Sequence, residues 1–221
     1  MISHRVMILG LQFWEDKEAR TSAEQMAVDE ALLLRARCPV VRFYRWAAPA
    51  VTFGYAQRYS DVHVLAGARP AIRRWTGGGI VFHGEDLTMA LAVPASHELC
   101  RLQTGMVYQR IHEALLKAVE MELPGARLAG PGDCLPGPAC FESPALNDIL
   151  LGGRKIGGGA LRRGRGGLLY QGSLHGNFSA LALGHALCAS SKIFKPDEET
   201  LLLCDRLSRE RYATEDWNRM R

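Results

Sequence analysis

No stretch of the 221-residue chain approaches the roughly 18 uninterrupted apolar residues that span a bilayer, which sets aside a helical membrane protein. The opening MISHRVMILGLQFWEDKEAR lacks the charged, apolar and small-residue zones of a secretory signal, so a cytoplasmic protein is expected. No C-x-x-C pair occurs among Cys38, Cys100, Cys134, Cys140, Cys188 and Cys204. That argues against a zinc knuckle or disulfide scaffold and for reduced thiols. There is neither a Walker loop nor a G-x-G-x-x-G turn. Internal repeats and long linkers are also missing. The net charge of +4 is too small to argue for nucleic-acid binding by itself. What is present is an ordinary globular mixture, 48% apolar and 23% charged, at a length that suits one large domain or two small ones.

Ser22 to about Arg37 has helical periodicity, with Ser22 and Gln25 at capping-box spacing, and Cys38-Pro39 stops it. VVRFYRW and AVTFGY, separated by AAPA, read as strand–turn–strand. AIRRW, GIVFH and LTMALAV form a second group of strands. A helix from Met106 to about Leu123 carries Val107, Ile111, Leu115 and Ala118 on one face. Residues 124–140, with four prolines and several glycines, are expected to be an irregular loop. NDILLG, RKIGGGAL and GLLYQGSLHG then read as strands, the last two joined by RRGRGG, and the chain beyond Phe178 as helical. The expected class is α+β, a mixed or antiparallel sheet with helices packed on it, in a single domain over residues 1–221.

Three segments could carry chemistry. In RRWTGGGIVFH, Gly77, Gly78 and Gly79 permit positive φ and leave no Cβ in a ligand's way, while Arg73 and Arg74 suit a phosphate or carboxylate. The alternative is a tight turn with solvated arginines, and His83 reads more readily as a satisfied core histidine than as a catalyst. In GGRKIGGGALRRGRGG, Lys155 is followed by Gly157, Gly158 and Gly159, which again clear space; a lysine there holds a carbonyl, carboxylate or phosphate, or else lies on a hairpin surface. RRGRGG also has the form of an RNA-binding RGG segment, but without aromatic partners, so nucleic acid is not the favoured partner. Cys140 is a small buried hydrophobe or, in its Pro/Gly loop upstream of a lysine and several arginines, an activated thiol. The six-residue separation from Cys134 and the absence of a nearby histidine leave no metal set.

Together these segments resemble the biotin/lipoate protein ligase family. RRWTGGGIVFHGEDLT is similar to its R-R-x-[ST]-G-G-[GR]-x-V-x-H-x4-T motif, and NDILLGGRKIGGGALRR to its lysine strand. QMAVDEALL with VRFYRWAAPAVTFGYAQ resembles its first helix and strands, and YATEDWN the motif that closes its large domain. The resemblance runs from about residue 22 to 218 and implies a fold like biotin protein ligase and the class II aminoacyl-tRNA synthetases. It further implies an acyl site formed by Arg73, Arg74, Thr76, Gly77, Gly78, Gly79, His83, Gly157, Gly158 and Gly159, with Lys155 on the acyl carbonyl or on the phosphate of an acyl-adenylate.

Two chemistries occur in that family. Ligases use ATP and magnesium to make an acyl-adenylate, many with an accessory C-terminal domain that this chain is not expected to carry. Octanoyltransferases take octanoate from octanoyl-acyl carrier protein through a cysteine thioester, with no cofactor. In one transferase branch the nucleophile lies in a C-F-x-x-P segment ahead of the lysine strand, and CFESP stands there, so the resemblance gives that role to Cys140, with Cys134 as the rival. Gly79 matches the GGG of the ligases where that branch often has GGR, and Gly158-Gly159 replaces the usual G-S. The implied acceptors are lipoyl domains of 2-oxoacid dehydrogenase E2 subunits and the glycine cleavage H protein. Arg162, Arg163 and Arg165 are expected at the rim, where an acidic carrier or acceptor docks.

Overall fold

Side-chain alternation along the strands sorts this chain onto two faces of one sheet, and both faces are covered. The computed structural model describes residues 8–134, 143–188 and 190–221; Cys140 lies outside the described residues. The elements are β1 (Gln12–Asp16), α1 (Ser22–Arg35), β2 (Val40–Tyr44), β3 (Ala50–Phe53), α2 (Tyr59–Ala66), β4 (Ala71–Arg73), β5 (Val81–His83), β6 (Leu87–Pro94) and α3 (Thr104–Glu122). There follow β7 (Arg127–Leu128), β8 (Ile149–Leu151), β9 (Arg154–Gly164), β10 (Gly167–Leu174), α4 (Ala180–Leu187), β11 (Lys192–Ile193), α5 (Glu198–Leu207) and α6 (Glu215–Asn218).

An eight-stranded sheet runs β11-β1-β2-β6-β10-β9-β8-β7. β1 is parallel to both its neighbours, and the other pairings are antiparallel. A smaller sheet, β4-β3-β5, packs beside it, with β3 parallel to β4 and antiparallel to β5. The mixed α+β class is therefore as the sequence indicates. β1, α2 and the grouping of β3, β4 and β5 into a separate sheet were not foreseen.

From one face of the large sheet Phe13, Val41, Phe43, Met89, Leu91, Leu168, Tyr170 and Leu174 join Val107, Ile111 and Leu115 of α3 and Leu183 of α4 in the main core. The opposite face presents Arg42 and Tyr44 from β2 and Gln171 from β10 toward α1, and Thr88 from β6 and Ser173 from β10 toward Asp86. With both faces covered, β2 and β6 are buried along their whole lengths, as interior strands are. Among the described residues no helix is long and apolar enough to cross a membrane.

Two expectations are corrected. The capping box of α1 sits one residue earlier than Ser22/Gln25: the Thr21 hydroxyl accepts from the Glu24 amide (3.3 Å), and the Glu24 carboxylate accepts from the Thr21 amide (2.7 Å). Gln25 faces inward instead and donates to the Arg45 carbonyl at 3.2 Å. The stretch after Pro124 is not wholly irregular. Arg127–Leu128 adds a last strand to β8, and a two-point ion pair from Arg127 to Asp133 (both contacts 2.7 Å) braces the turn that follows.

The α1 face of the sheet holds a buried charge cluster. Arg42 donates to Asp16 Oδ2 (2.9 and 2.7 Å), to Asp29 Oδ1 (2.7 Å), and to both the carbonyl and side-chain oxygen of Gln25. Its guanidinium lies 4.0 Å from the Tyr44 ring centroid. Burial opposes charge on Arg42, but Asp29, Tyr44 and Asp16 outweigh it and raise the pKa. Asp29 in turn accepts from Tyr44 (3.2 Å) and from Gln171 Nε2 (2.7 Å), and Thr76 donates to Gln171 Oε1 (2.7 Å). Removing the guanidinium takes from the buried Asp29 its paired cation and leaves Asp16 with Arg20. Arg42→Ala is therefore expected to lose about 3–5 kcal/mol of stability in a urea titration followed by circular dichroism.

Candidate active site

β8 and β9 are joined by Gly152-Gly153, with φ of 56° and 81°, the two positive values that a tight type I′ hairpin turn requires. Just beyond the turn the pairing slips: Leu150 faces Lys155 while Ile149 faces Gly157, so Ile156 is an extra residue on β9. Strict alternation would aim Lys155 with Gly157 into the apolar core. The bulge instead turns it to the α1 face, beside Gly158.

There Lys155 reaches a largely apolar pocket between the large sheet and the small one, with about 430 Å³ of space, part of it open to solvent. Met26 of α1, Tyr44, Trp46 and Val81 supply apolar wall. Thr52, Thr88, Gln171 and Ser173 supply polar groups, and Gly158, Gly159, Ala160 and Gly172 form the strand side. Of the residues singled out in the sequence, Arg74, His83, Lys155, Gly158 and Gly159 line this pocket; Arg73, Thr76, Gly77, Gly78, Gly79 and Gly157 do not.

Lys155 is not a surface lysine: its side chain is 3% exposed, and Nζ lies 2.8 Å from Asp148 Oδ2. The glycines after it leave room chiefly for this protein's own side chains. A Cβ on Gly158 would sit against Lys155 Cε, 2.6 Å from its Nζ and 2.9 Å from Asp148 Oδ1. A Cβ on Gly157 would lie 2.6 Å from Leu174, and one on Gly159 2.6 Å from the Tyr170 ring, both on the core side.

The arginine–glycine segment also turns inward. Arg73 donates to the carbonyls of Tyr55 (2.8 Å), Gln57 (2.6 Å), Trp217 (3.1 Å) and Asn218 (2.8 Å), clamping the chain's last helix to the loop after β3. It is thus a structural arginine, where the sequence suggested a ligand contact. Arg74 donates to Gly77 O (3.0 Å), Gly79 O (2.8 Å) and Thr52 Oγ1 (2.7 Å), so the glycine loop curls round its guanidinium. Gly78 has φ 84°, and its carbonyl occupies the place a Cβ on Gly54 would take.

His83 has both ring nitrogens engaged. Nδ1 lies 2.9 Å from Asp86 Oδ2 and Nε2 2.7 Å from Thr52 Oγ1, while Trp46 stacks on the ring at 4.1 Å. Burial, with the charges of Arg74 and His175 acting the same way, lowers the His83 pKa against the pull of Asp86. Burial pushes Asp86 the other way, but hydrogen bonds from His83, Ser173 and the Gly84 amide hold its carboxyl far below the ordinary range. With a carboxylate on Nδ1, the proton belongs there, and Nε2 accepts from Thr52, whose oxygen accepts from Arg74. In this arrangement His83 is a wall of the pocket and not a base.

The RRGRGG arginines divide between the faces. Arg162 packs 3.9 Å from the Trp75 ring and 4.1 Å from Tyr55, donating to the Trp75 carbonyl. Arg163 donates to the carbonyls of Cys100 and Leu102, and Arg165 is exposed at the turn. Cys134 is exposed, its thiol 3.4 Å from the Gly130 carbonyl. Among the described residues no group of three His, Cys, Asp or Glu side chains is placed to hold a metal ion.

Asp148, Tyr108, Gln171, Trp46 and Thr52 were not singled out in the sequence. Asp148 stands in the quoted NDILLG and Trp46 in VRFYRW, but no spacing rule marks either. Tyr108 arrives from α3, far away in the chain.

Solved structures share this architecture. Lipoate-protein ligase A bound with ATP superposes with a TM-score of 0.73 at 20% identity, over 94% of this chain and 97% of that one. The T. acidophilum protein Ta0514 with bound lipoic acid gives 0.74 at 20% identity, over 95% and 98%. The fold is that of the lipoate-protein ligases. The chain belongs to the lipoyl protein ligase A/B catalytic domain family, whose model matches residues 21–201. Octanoyltransferase LipM of Oceanobacillus iheyensis is 32% identical over 164 residues, 69% of this chain and 59% of the relative. LipM of Symbiobacterium thermophilum is 34% identical over 176 residues, 72% and 63%. The chain thus spans under two thirds of the length of these relatives.

The glycine contacts separate two variants. Gly159→Ala drives a methyl into the buried Tyr170 ring and is expected to cost about 1–3 kcal/mol. Gly158→Ala presses on the buried Lys155–Asp148 ion pair and is expected to cost as much or more, because both charged ends must shift; thermal melts of the two proteins check this. A second expectation concerns His112 of α3, which is buried with Nε2 2.9 Å from the Tyr170 hydroxyl and its pKa pushed down by burial to about 4. The unfolded chain protonates this residue near 6.5, so between those values it binds more protons than the folded one and stability falls as pH drops. The loss from this residue is on the order of 3 kcal/mol across the window. His112→Gln is expected to flatten the stability curve between pH 6.5 and 4; His83 adds slope of the same sign, and Asp29, whose carboxyl pKa burial raises, adds slope of the opposite sign.

Proposed function

We propose that this chain transfers an octanoyl group from octanoyl-acyl carrier protein to a lysine of a lipoyl domain, through a thioester on Cys140, as a single catalytic unit in the cytoplasm. The observation that carries this reading is a buried lysine held by a carboxylate at an apolar pocket, in a chain about one-third identical to octanoyltransferases. The apolar walls suit an eight-carbon chain, and the lysine suits its polar end.

In this reading the Cys140 thiolate attacks the carrier thioester, and the carrier thiol leaves with the electron pair of the broken C–S bond. Lys155 Nζ donates to the carbonyl oxygen as it gains negative charge, where a preorganised donor is worth most. The acceptor lysine's amine then attacks the octanoyl-cysteine, forming the amide and returning the thiol. Thioester exchange is close to energy-neutral, so this route needs neither ATP nor magnesium. Lipoyl domains of 2-oxoacid dehydrogenase E2 subunits and the glycine cleavage H protein are the acceptors this reading names. Support for the first comes from a related structure described as a bipartite lipoate protein ligase and its E2 lipoyl domain. Arg165 and the exposed part of Arg163 are the rim charges left for an acidic partner.

Intact-protein mass after incubation with octanoyl-acyl carrier protein tests the reading. An octanoyl adduct is expected on the wild type and on Cys134→Ala, and none on Cys140→Ala. No adduct, together with lipoate-dependent exchange of pyrophosphate into ATP, overturns it in favour of the ATP- and magnesium-using ligase.

A further inference from the structure

Asp148 holds Lys155 through one oxygen, and its other oxygen has a partner of its own. The Tyr108 hydroxyl donates to Asp148 Oδ1 at 2.5 Å, while Oδ2 accepts from the Ala145 amide at 2.6 Å as well as facing Lys155. Tyr108 belongs to α3, on the core side of the sheet, and its hydroxyl reaches Asp148 at the edge of β9. β8 pairs with β9 only as far as Gly157. At the edge left beyond it, the Gly159 amide donates to the Tyr108 hydroxyl at 3.0 Å. Among the described residues, one phenol therefore takes the place of a strand partner here and secures the carboxylate.

We propose that Tyr108 is a positioning residue for Lys155: by donating to Asp148 Oδ1 while accepting from Gly159, it fixes the carboxylate that aims the ammonium into the pocket. This rests on reading Lys155 as the group that holds the acyl carbonyl. A carboxylate bound through one oxygen can turn about its last torsion, whereas one with donors on both oxygens has a single orientation, and the lysine inherits it. The phenol is itself held. Its ring stacks on His112 at 4.0 Å and leans on Tyr170 at 6.1 Å. Burial, reinforced by Tyr170 and Asp148, raises the Tyr108 pKa well above that of a free phenol, so the hydroxyl keeps the proton it donates. Gly158 completes the arrangement, since any side chain there would displace both Lys155 and Asp148.

Tyr108→Phe keeps the stacked ring and deletes only the hydroxyl, and two readouts are taken on the full chain. The first is a lysine-selective ¹H–¹⁵N spectrum, in which a buried, paired ammonium exchanges slowly enough to be seen; loss of the signal in Lys155→Met assigns it. Tyr108→Phe is expected to broaden or shift that signal. The second is steady-state octanoyl transfer, where kcat is expected to fall about tenfold or more, with KM for the acyl donor within about twofold. Substitution by 3,5-difluorotyrosine, which retains the hydroxyl but weakens its hold on the proton, also shifts the ammonium signal and serves if the phenylalanine variant does not fold. An unchanged signal and unchanged kcat in the folded variants overturn the proposal. A shifted signal in a protein that transfers no octanoyl group keeps the positioning role and removes the octanoyl-transfer reading instead.

Discussion

Arg42, buried between Asp16 and Asp29, fixes how β1, α1 and β2 meet, and the pocket is built on that junction. A guanidinium removed from water is tolerated only where its counter-charges and hydrogen-bond partners are already in place. That requirement is strict about register. A slip of one residue in β2 would turn Arg42 into the apolar core, turn Val41 and Phe43 out of it, and take from Asp29 its paired cation. The same Asp29 extends the network through Gln171 to Thr76, so the position of the glycine loop follows from charge balance two strands away.

Asp86 does for the opposite wall what Asp29 does for this one. It accepts from His83, Thr88, Ser173 and the Gly84 amide, joining β5, β6 and β10, and Thr88 accepts in turn from the Trp46 indole. Between these two satisfied carboxylates the walls of the apolar pocket are held apart. A pocket lined mainly by carbon would otherwise collapse on itself, since nothing in dispersion or hydrophobic burial favours keeping it open. Most of the polar groups near the pocket hold one another: Arg74 and His83 brace the walls they line, while Arg73 ties the last helix down outside the pocket.

The sequence was informative wherever a local pattern carries a local cause. Apolar period placed α1 and α3, β-branched runs placed β2, β6 and β10, and RRGRGG placed the β9–β10 turn. Its blind spots have physical sources too. Short strands such as β7 and β11 have no period to read, being defined by the partner they pair with. The capping box was misplaced by one residue because Thr21/Glu24 and Ser22/Gln25 have the same spacing, and only burial of Gln25 separates them. Lys155 was legible as a chemical group but its surroundings were not: Asp148 and Tyr108 reach it through the β8–β9 hairpin and from a helix on the other face. The three glycines after it read as space for a ligand, yet Leu174 and Tyr170 take the places beside two of them.

The extra residue at Ile156 gives the β8–β9 hairpin a parity. Lys155 and Gly157 are two residues apart, the spacing that plain alternation puts on one face, and only the bulge separates them onto two. Pairing drawn straight through this stretch would carry the ammonium to the side of Ile149 and Leu174 with no change in composition. A chain lacking Ile156 would instead keep the lysine on the α1 face with no bulge at all, while the β9–β10 turn at Arg165, open to solvent, carries no such arithmetic. The hairpin therefore tolerates the loss of its irregular residue better than the loss of its irregularity.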